Sequence, residues 1–347
     1  MERTPFFSTC SSPSVHSLHP APAVLLFVVL VSAFCCPASL PAQSAGSLEE
    51  GRSHFEAGHL TRAREVFENL VRADRRDAAA AYWLGRTLRA EGEFKDAVDS
   101  LEKATELEEG NVTYLRELYW TCTEFVENAG AVRAVTLARR MVRMLHRIVE
   151  LDPAATEERE QLVGFHVNAP RMFGGGDIDA ARRYAEELTA LDPKRGRLAF
   201  IMIHQHEGEN DLVEREYQAL ISEFPDEYDH LRELGLFYHD TERYAEAIAT
   251  FQTLTERFPD YLYGWYLVGR SAAVSGLGTE TGTVCMEHYL AHEPPEGSPS
   301  HAAAHWRLGM IHEKAGNLER ARAEYEASLV IDPDYREARV GLRRIRP

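Results

Sequence analysis

His288 and His292 stand four residues apart. That spacing puts two imidazoles on one face of a helix, where both can reach one metal ion. A metalloprotease helix of the H-E-x-x-H kind would carry a glutamate between them, and this stretch reads His-Tyr-Leu-Ala-His. No third ligand can be named, and a chain with 15 histidines is expected to hold such a pair by chance. The glycines Gly174, Gly175 and Gly176 precede a predicted helix and could offer backbone N–H groups to an anion. No G-x-G-x-x-G pattern, preceding strand or Gly-Lys-Ser/Thr accompanies them, so a wide turn with Asp177 as N-cap is expected instead. Of the five cysteines, only Cys122 and Cys285 lie in the body of the chain, and no C-x-x-C pair occurs. Two separate buried thiols are expected, with neither a zinc knuckle nor a redox dithiol. No Ser-His-Asp, Cys-His or paired-carboxylate arrangement can be placed. No catalytic residue, cofactor or metal is assigned, and the chain is read as a non-enzyme.

With the catalytic readings set aside, charge and composition bear on partners. The 347 residues carry a formal net charge of -17. A phosphate backbone would be repelled by that field, so nucleic acid is not an expected partner. The field suits a basic partner surface, or serves solubility alone. Asn111-Val112-Thr113 is a glycosylation sequon that matters only in a eukaryotic host.

Residues 23–36 read AVLLFVVLVSAFCC, an uncharged run shorter than a comfortable membrane span. The small residues and prolines of 37–43 follow it. That order resembles a secretory signal peptide over residues 1–42, cleaved after Ala42 or after Ala38. An export signal places the chain in the periplasm or outside the cell. Retained, the same segment would be a membrane anchor, the one route by which a membrane becomes a partner. Phe34 before Cys35 and Phe34-Cys35 before Cys36 fit a lipoprotein signal poorly.

The elements that must position any site come from an internal repeat. Leu231-x2-Leu234-Gly235-x2-Tyr238 is followed by Ala247-x3-Phe251 and Pro259. His305-x2-Leu308-Gly309-x2-His312 is followed by Ala321-x3-Tyr325 and Pro333. Ala81-x2-Leu84-Gly85-x2-Leu88 is followed by Ala97-x3-Leu101. Glycine and alanine are 12 apart in all three copies (97−85, 247−235, 321−309). Closing phrases such as Leu191-Asp192-Pro193 and Phe258-Pro259-Asp260 recur along the chain, and neither alternating strand patterns nor Asn-Gly or Asp-Gly hairpin turns appear.

This spacing resembles the tetratricopeptide repeat (TPR) family, whose signature is W-x2-L-G-x2-Y…A-x3-F…P. The resemblance implies an all-α fold: a right-handed superhelical α-solenoid of about eight helix-turn-helix units over residues 43–333. A capping helix over 334–347 completes it, with Tyr335, Ala338, Leu342 and Ile345 on its apolar side. Glycine and alanine are expected where the two helices of a unit approach most closely. The aromatic or leucine four residues after the alanine is expected to fill the groove toward the next unit. Units around 112–193 and 262–300 depart from the pattern.

Family members line a concave groove mainly with the first helix of each unit. With the glycine as the eighth position, the second, fifth, ninth, twelfth and thirteenth face the groove. Carried over, these positions give Tyr82, Arg86, Arg232, Tyr263, Tyr266, Arg270 and Trp306 as candidate partner-binding residues, aromatic and arginine types that binding hot spots favour. The lysine and asparagine that hold heat-shock protein tails in some members are absent from the fifth and ninth positions of these units. The function implied is a protein–protein adaptor that takes a peptide or helix of a partner, or else an assembly or chaperone-like subunit of an envelope complex.

Overall fold

The computed structural model describes residues 46–127, 130–171 and 175–346. The expected signal segment, 1–42, lies outside them. Among the described residues all regular structure is helical. Sixteen helices form eight antiparallel pairs: Leu48–Glu56 with Leu60–Ala73 (α1, α2), Ala78–Ala90 with Phe94–Leu107 (α3, α4), Val112–Glu127 with Ala131–Leu151 (α5, α6), and Thr156–Asn168 with Ile178–Leu191 (α7, α8). Pro193–Glu207 and Asn210–Glu223 follow (α9, α10), then Tyr228–Asp240 and Tyr244–Arg257 (α11, α12), Leu262–Ser275 and Thr279–Leu290 (α13, α14), and His301–Lys314 with Leu318–Ile331 (α15, α16). Arg336–Arg344 (α17) packs on α16 and α15. No described helix is long and apolar enough to cross a membrane.

The chain starts its first helix with a capping box. Ser47 Oγ accepts from Glu50 N–H at 3.1 Å, and Glu50 accepts from the Ser47 N–H at 3.3 Å. Each tight turn inside a unit then needs one left-handed residue. Gly58, Gly92, Gly208 and Gly316 supply it at φ between 75 and 82°, where glycine carries no Cβ penalty.

The seam within each pair carries one contact beyond the sequence expectation. Leu101, Phe251 and Tyr325 also pack inside their own units, while Tyr325 fills toward the next element as expected, where a Cβ on Gly341 of α17 would come within 2.6 Å of it. Each lies on the glycine of its own unit: a Cβ on Gly85, Gly235 or Gly309 would come within 2.5, 2.3 and 2.6 Å of them. Helix geometry explains the added contact. In antiparallel helices the residue one turn past the alanine stands opposite the glycine, and all three side chains are fully buried there. The seventh unit uses the same device with one more residue in its turn. Gly269 receives Met286, and Gly282 stands where other units have alanine.

The irregular units have structural causes. Helix α6 has 21 residues against 14 in α2, α4, α8, α10, α12 and α16. The connector from Ala169 to Asp177 lengthens the fourth unit, and Asp177 caps α8 by accepting from Ala180 N–H at 3.0 Å. Ion pairs strengthen this region where the small-residue seam is missing. Arg116 on α5 reaches Glu158 at 2.6 Å and Asp152 at 2.9 Å, and Arg159 on α7 reaches Glu187 at 2.8 Å.

Candidate partner-binding face

Consecutive first helices touch at α1 and α3, α3 and α5, α7 and α9, α13 and α15, and α15 and α17. Second helices of consecutive units make no comparable contact. Elements on the inside of a bent stack are the ones crowded together, so the odd-numbered helices line the inner face.

The seven predicted positions fall into separate groups along these helices. Tyr82 on α3 is only 8% exposed and stacks on Tyr114 of α5 at 4.5 Å. Beside it, the Arg86 guanidinium lies 4.6 Å from the Trp83 ring centre and 3.6 Å from Glu117, which also takes Arg89 at 2.8 Å. Arg232 on α11 is held by Asp229 at 2.7 Å and Glu233 at 2.8 Å. On α13, Tyr263 stacks on Tyr266 with ring centres 6.0 Å apart. Tyr266 is 5% exposed and leans on Tyr289 at 5.3 Å, so it supports Tyr263 from within the core. Arg270 stands partly exposed one helical turn beyond. The adjoining α15 carries Trp306, whose ring has the Arg307 guanidinium 4.0 Å above it and Tyr335 at 5.8 Å. Tyr82 and Tyr266 are therefore packing residues first, and the surface available to a partner belongs to Arg86, Arg232, Tyr263, Arg270 and Trp306.

Sequence counting missed several members of this face. Trp120 on α5 is 46% exposed although its neighbour Tyr119 is buried. Its unit has no glycine from which to count positions. Arg307 falls at the sixth position, outside the family's groove set, and Tyr335 precedes α17. His239, by contrast, is a twelfth position that the counting does place in the groove; it is 8% exposed and its Nδ1 lies 2.9 Å from the Ser271 hydroxyl, joining α11 to α13. Burial, then the Arg270 and Arg307 charges, hold its pKa down to about 4. His239 is thus neutral at pH 7.

The other chemistry-bearing residues have structural surroundings. His288 stacks on Trp265 at 3.9 Å, and His292 Nδ1 meets the His288 carbonyl at 2.8 Å. A different trio, His204, Glu207 and Glu209, brings its ligand atoms within 4.8 Å. There Glu209 already holds His204 at 2.7 Å, and Glu207 is paired with Arg182. Cys122 and Cys285 are buried free thiols.

The eight pairs and their inner face define a helical-repeat interaction scaffold, the general role of such folds. Tetratricopeptide repeat models match residues 48–111, 208–277 and 302–335, and the chain belongs to the tetratricopeptide repeat family. Among solved structures, the C-terminal part of a TPR repeat-containing protein from Cytophaga hutchinsonii is 14% identical with a TM-score of 0.52. That match covers 85% of this chain and 99% of the other. A tetratricopeptide repeat protein from Parabacteroides merdae is 16% identical with a TM-score of 0.49, covering 86% of this chain and 96% of that one.

Proposed function

We propose that this protein is a non-enzymatic adaptor that binds a peptide segment or helix of a partner protein along its inner face. The contact centre is the α13–α15 region, through Tyr263, Arg270 and Trp306. The observation that supports this reading is the pairing of a partly exposed aromatic with buried ones. Tyr263 lies on the buried Tyr266, which rests on Tyr289, so a rigid anchor is presented at little entropic cost. Ordering a flexible peptide offsets part of the contact energy, and a micromolar affinity of about -8 kcal/mol is expected.

The test places a photo-crosslinking side chain at position 263 in cells and identifies what is captured by mass spectrometry. One dominant partner, captured roughly tenfold less well when Trp306→Ala is added at unchanged helicity, is the expected result. Equal capture by Trp306→Ala and Arg270→Ala variants would sink the inner-face reading.

The apolar run 23–36 and the small residues after it support export to the periplasm or the medium as part of the same proposal. The mass of the mature chain decides it. A chain beginning after Ala42 or Ala38 supports export, whereas an intact N-terminus in the membrane fraction would make the adaptor an anchored subunit.

A further inference from the structure

We propose that the C-terminal end of the inner face, at Arg270 and Arg307, binds an acidic peptide segment whose side-chain carboxylates supply the counter-ions these two arginines lack. The inference rests on the inner-face reading and adds the chemical class of the partner.

It comes from comparing the arginines of the first helices. Every arginine on the first helices α1 to α11 has a carboxylate within 4 Å: Arg52 has Glu49, Arg86 and Arg89 share Glu117, Arg116 has Glu158, Arg159 has Glu187, Arg195 has Glu160, Arg197 has Glu216 and Arg232 has Asp229. On α13 and α15 the pattern stops. Among the described residues no carboxylate comes within that ion-pair distance of Arg270, and Arg307 meets only the Met310 sulfur at 3.7 Å and the face of Trp306. Arg307 Nε is buried with no hydrogen-bond partner. In a chain with 55 acidic residues against 38 basic ones, leaving these two guanidinium groups without a carboxylate is a local departure from the surrounding composition.

The two cations also belong to one place. Arg270 on α13 and Arg307 on α15 stand on helices that pack directly against each other, and both charges act on the neutral His239. The result is two guanidinium groups without a carboxylate at ion-pair distance, one of them lying over the face of Trp306. Guanidinium forks take carboxylates in paired, charge-assisted hydrogen bonds, and Arg307 is already oriented by its stack on Trp306. The net charge of -17 does not forbid an acidic ligand. Charges farther than about 8 Å are largely screened at physiological salt, so the nearby arginines dominate.

The experiment measures fluorescence anisotropy of the full chain with an amidated, labelled Leu/Glu peptide and its Leu/Gln counterpart at physiological salt. The expected result is roughly tenfold tighter binding of the Glu peptide, a preference lost in the Arg270→Gln/Arg307→Gln variant. Arg270→Gln alone, which leaves the Trp306 stack intact, is expected to lose part of the preference if the double variant fails to fold. Equal binding of the two peptides by the native chain, no binding of either, or a preference intact in the folded double variant overturns the inference. Equal binding that still weakens with Trp306→Ala leaves the inner-face adaptor standing without its acidic specificity.

Discussion

A Cβ on Gly235 would sit 2.3 Å from the Phe251 ring, so the glycine of helix α11 and the aromatic of helix α12 are one packing unit. Gly235→Ala must push that fully buried ring aside. Overpacking costs about 1–3 kcal/mol, and better helix propensity returns about 1. A net loss is expected, read as a lower urea midpoint. Adding Phe251→Leu should recover part of it, and a double-mutant cycle that shows no coupling would refute the direct contact.

Glu242 occupies the turn position that glycine fills in four other units, at φ 61°. A left-handed conformation costs an L-residue about 1–2 kcal/mol. Glu242→Gly is therefore expected to raise stability by about 0.5–1 kcal/mol once the entropy of glycine is subtracted. Chemical denaturation followed by circular dichroism checks it, and a lowered midpoint would mean that the strain has been relieved some other way.

His166 lies 6% exposed between α6 and α8 with both ring nitrogens unpartnered, stacked on Tyr184 at 6.0 Å. Tyr184 meets His146 Nδ1 at 2.8 Å. Burial first, then the neighbouring His146, lowers the His166 pKa. The folded state thus disfavours the proton that the unfolded chain accepts near pH 6.5. Stability contributed by neutral His166 is complete above that value and is lost as pH falls through the lower folded pKa. Each such histidine adds up to about 1.4 kcal/mol per pH unit to the slope. His166→Phe keeps the ring and removes the proton site, so it should flatten the decline in urea midpoint between pH 7.5 and 5.5. An unchanged slope would assign the acid sensitivity to other buried histidines such as His230 and His312, whose pKa values burial also lowers.

Burial pushes the Cys122 thiol up to about 12 and the Cys285 thiol up to about 11. Both should react with Ellman's reagent roughly a hundredfold more slowly in the native chain than in denaturant, because the thiolate is the reactive form. Fast reaction of one thiol in native buffer would mark local opening of its unit.

Much of the fold can be read from residue types alone. Gly85, Gly235 and Gly309 with their alanines twelve residues on report a helix pair, because only small residues permit the close approach. The turn in which Ser275-Gly276-Leu277-Gly278 sits is also visible, since two left-handed glycines interrupt a helical pattern. Which residue presses on each glycine is not visible. That depends on the facing of two helices: the sequence expectation looked to the next unit, and Tyr325 meets both Gly309 of its own unit and Gly341 of α17.

The candidate face divides the same way. Sequence by itself placed Tyr263, Arg270 and Trp306 on first helices, because the repeat fixes each residue's position in its unit. Tertiary structure decided that Tyr266 and Tyr82 turn into the core, that Trp120 stays exposed, and that Arg307 joins Arg270 near His239. It also decided which arginines are neutralised, since Arg116 and Glu158 stand 42 residues apart and meet only when α5 and α7 are stacked. Repeat spacing records contacts inside a unit, where the chain is continuous. Contacts between units depend on how much each unit turns relative to the last, and no single unit encodes that rotation.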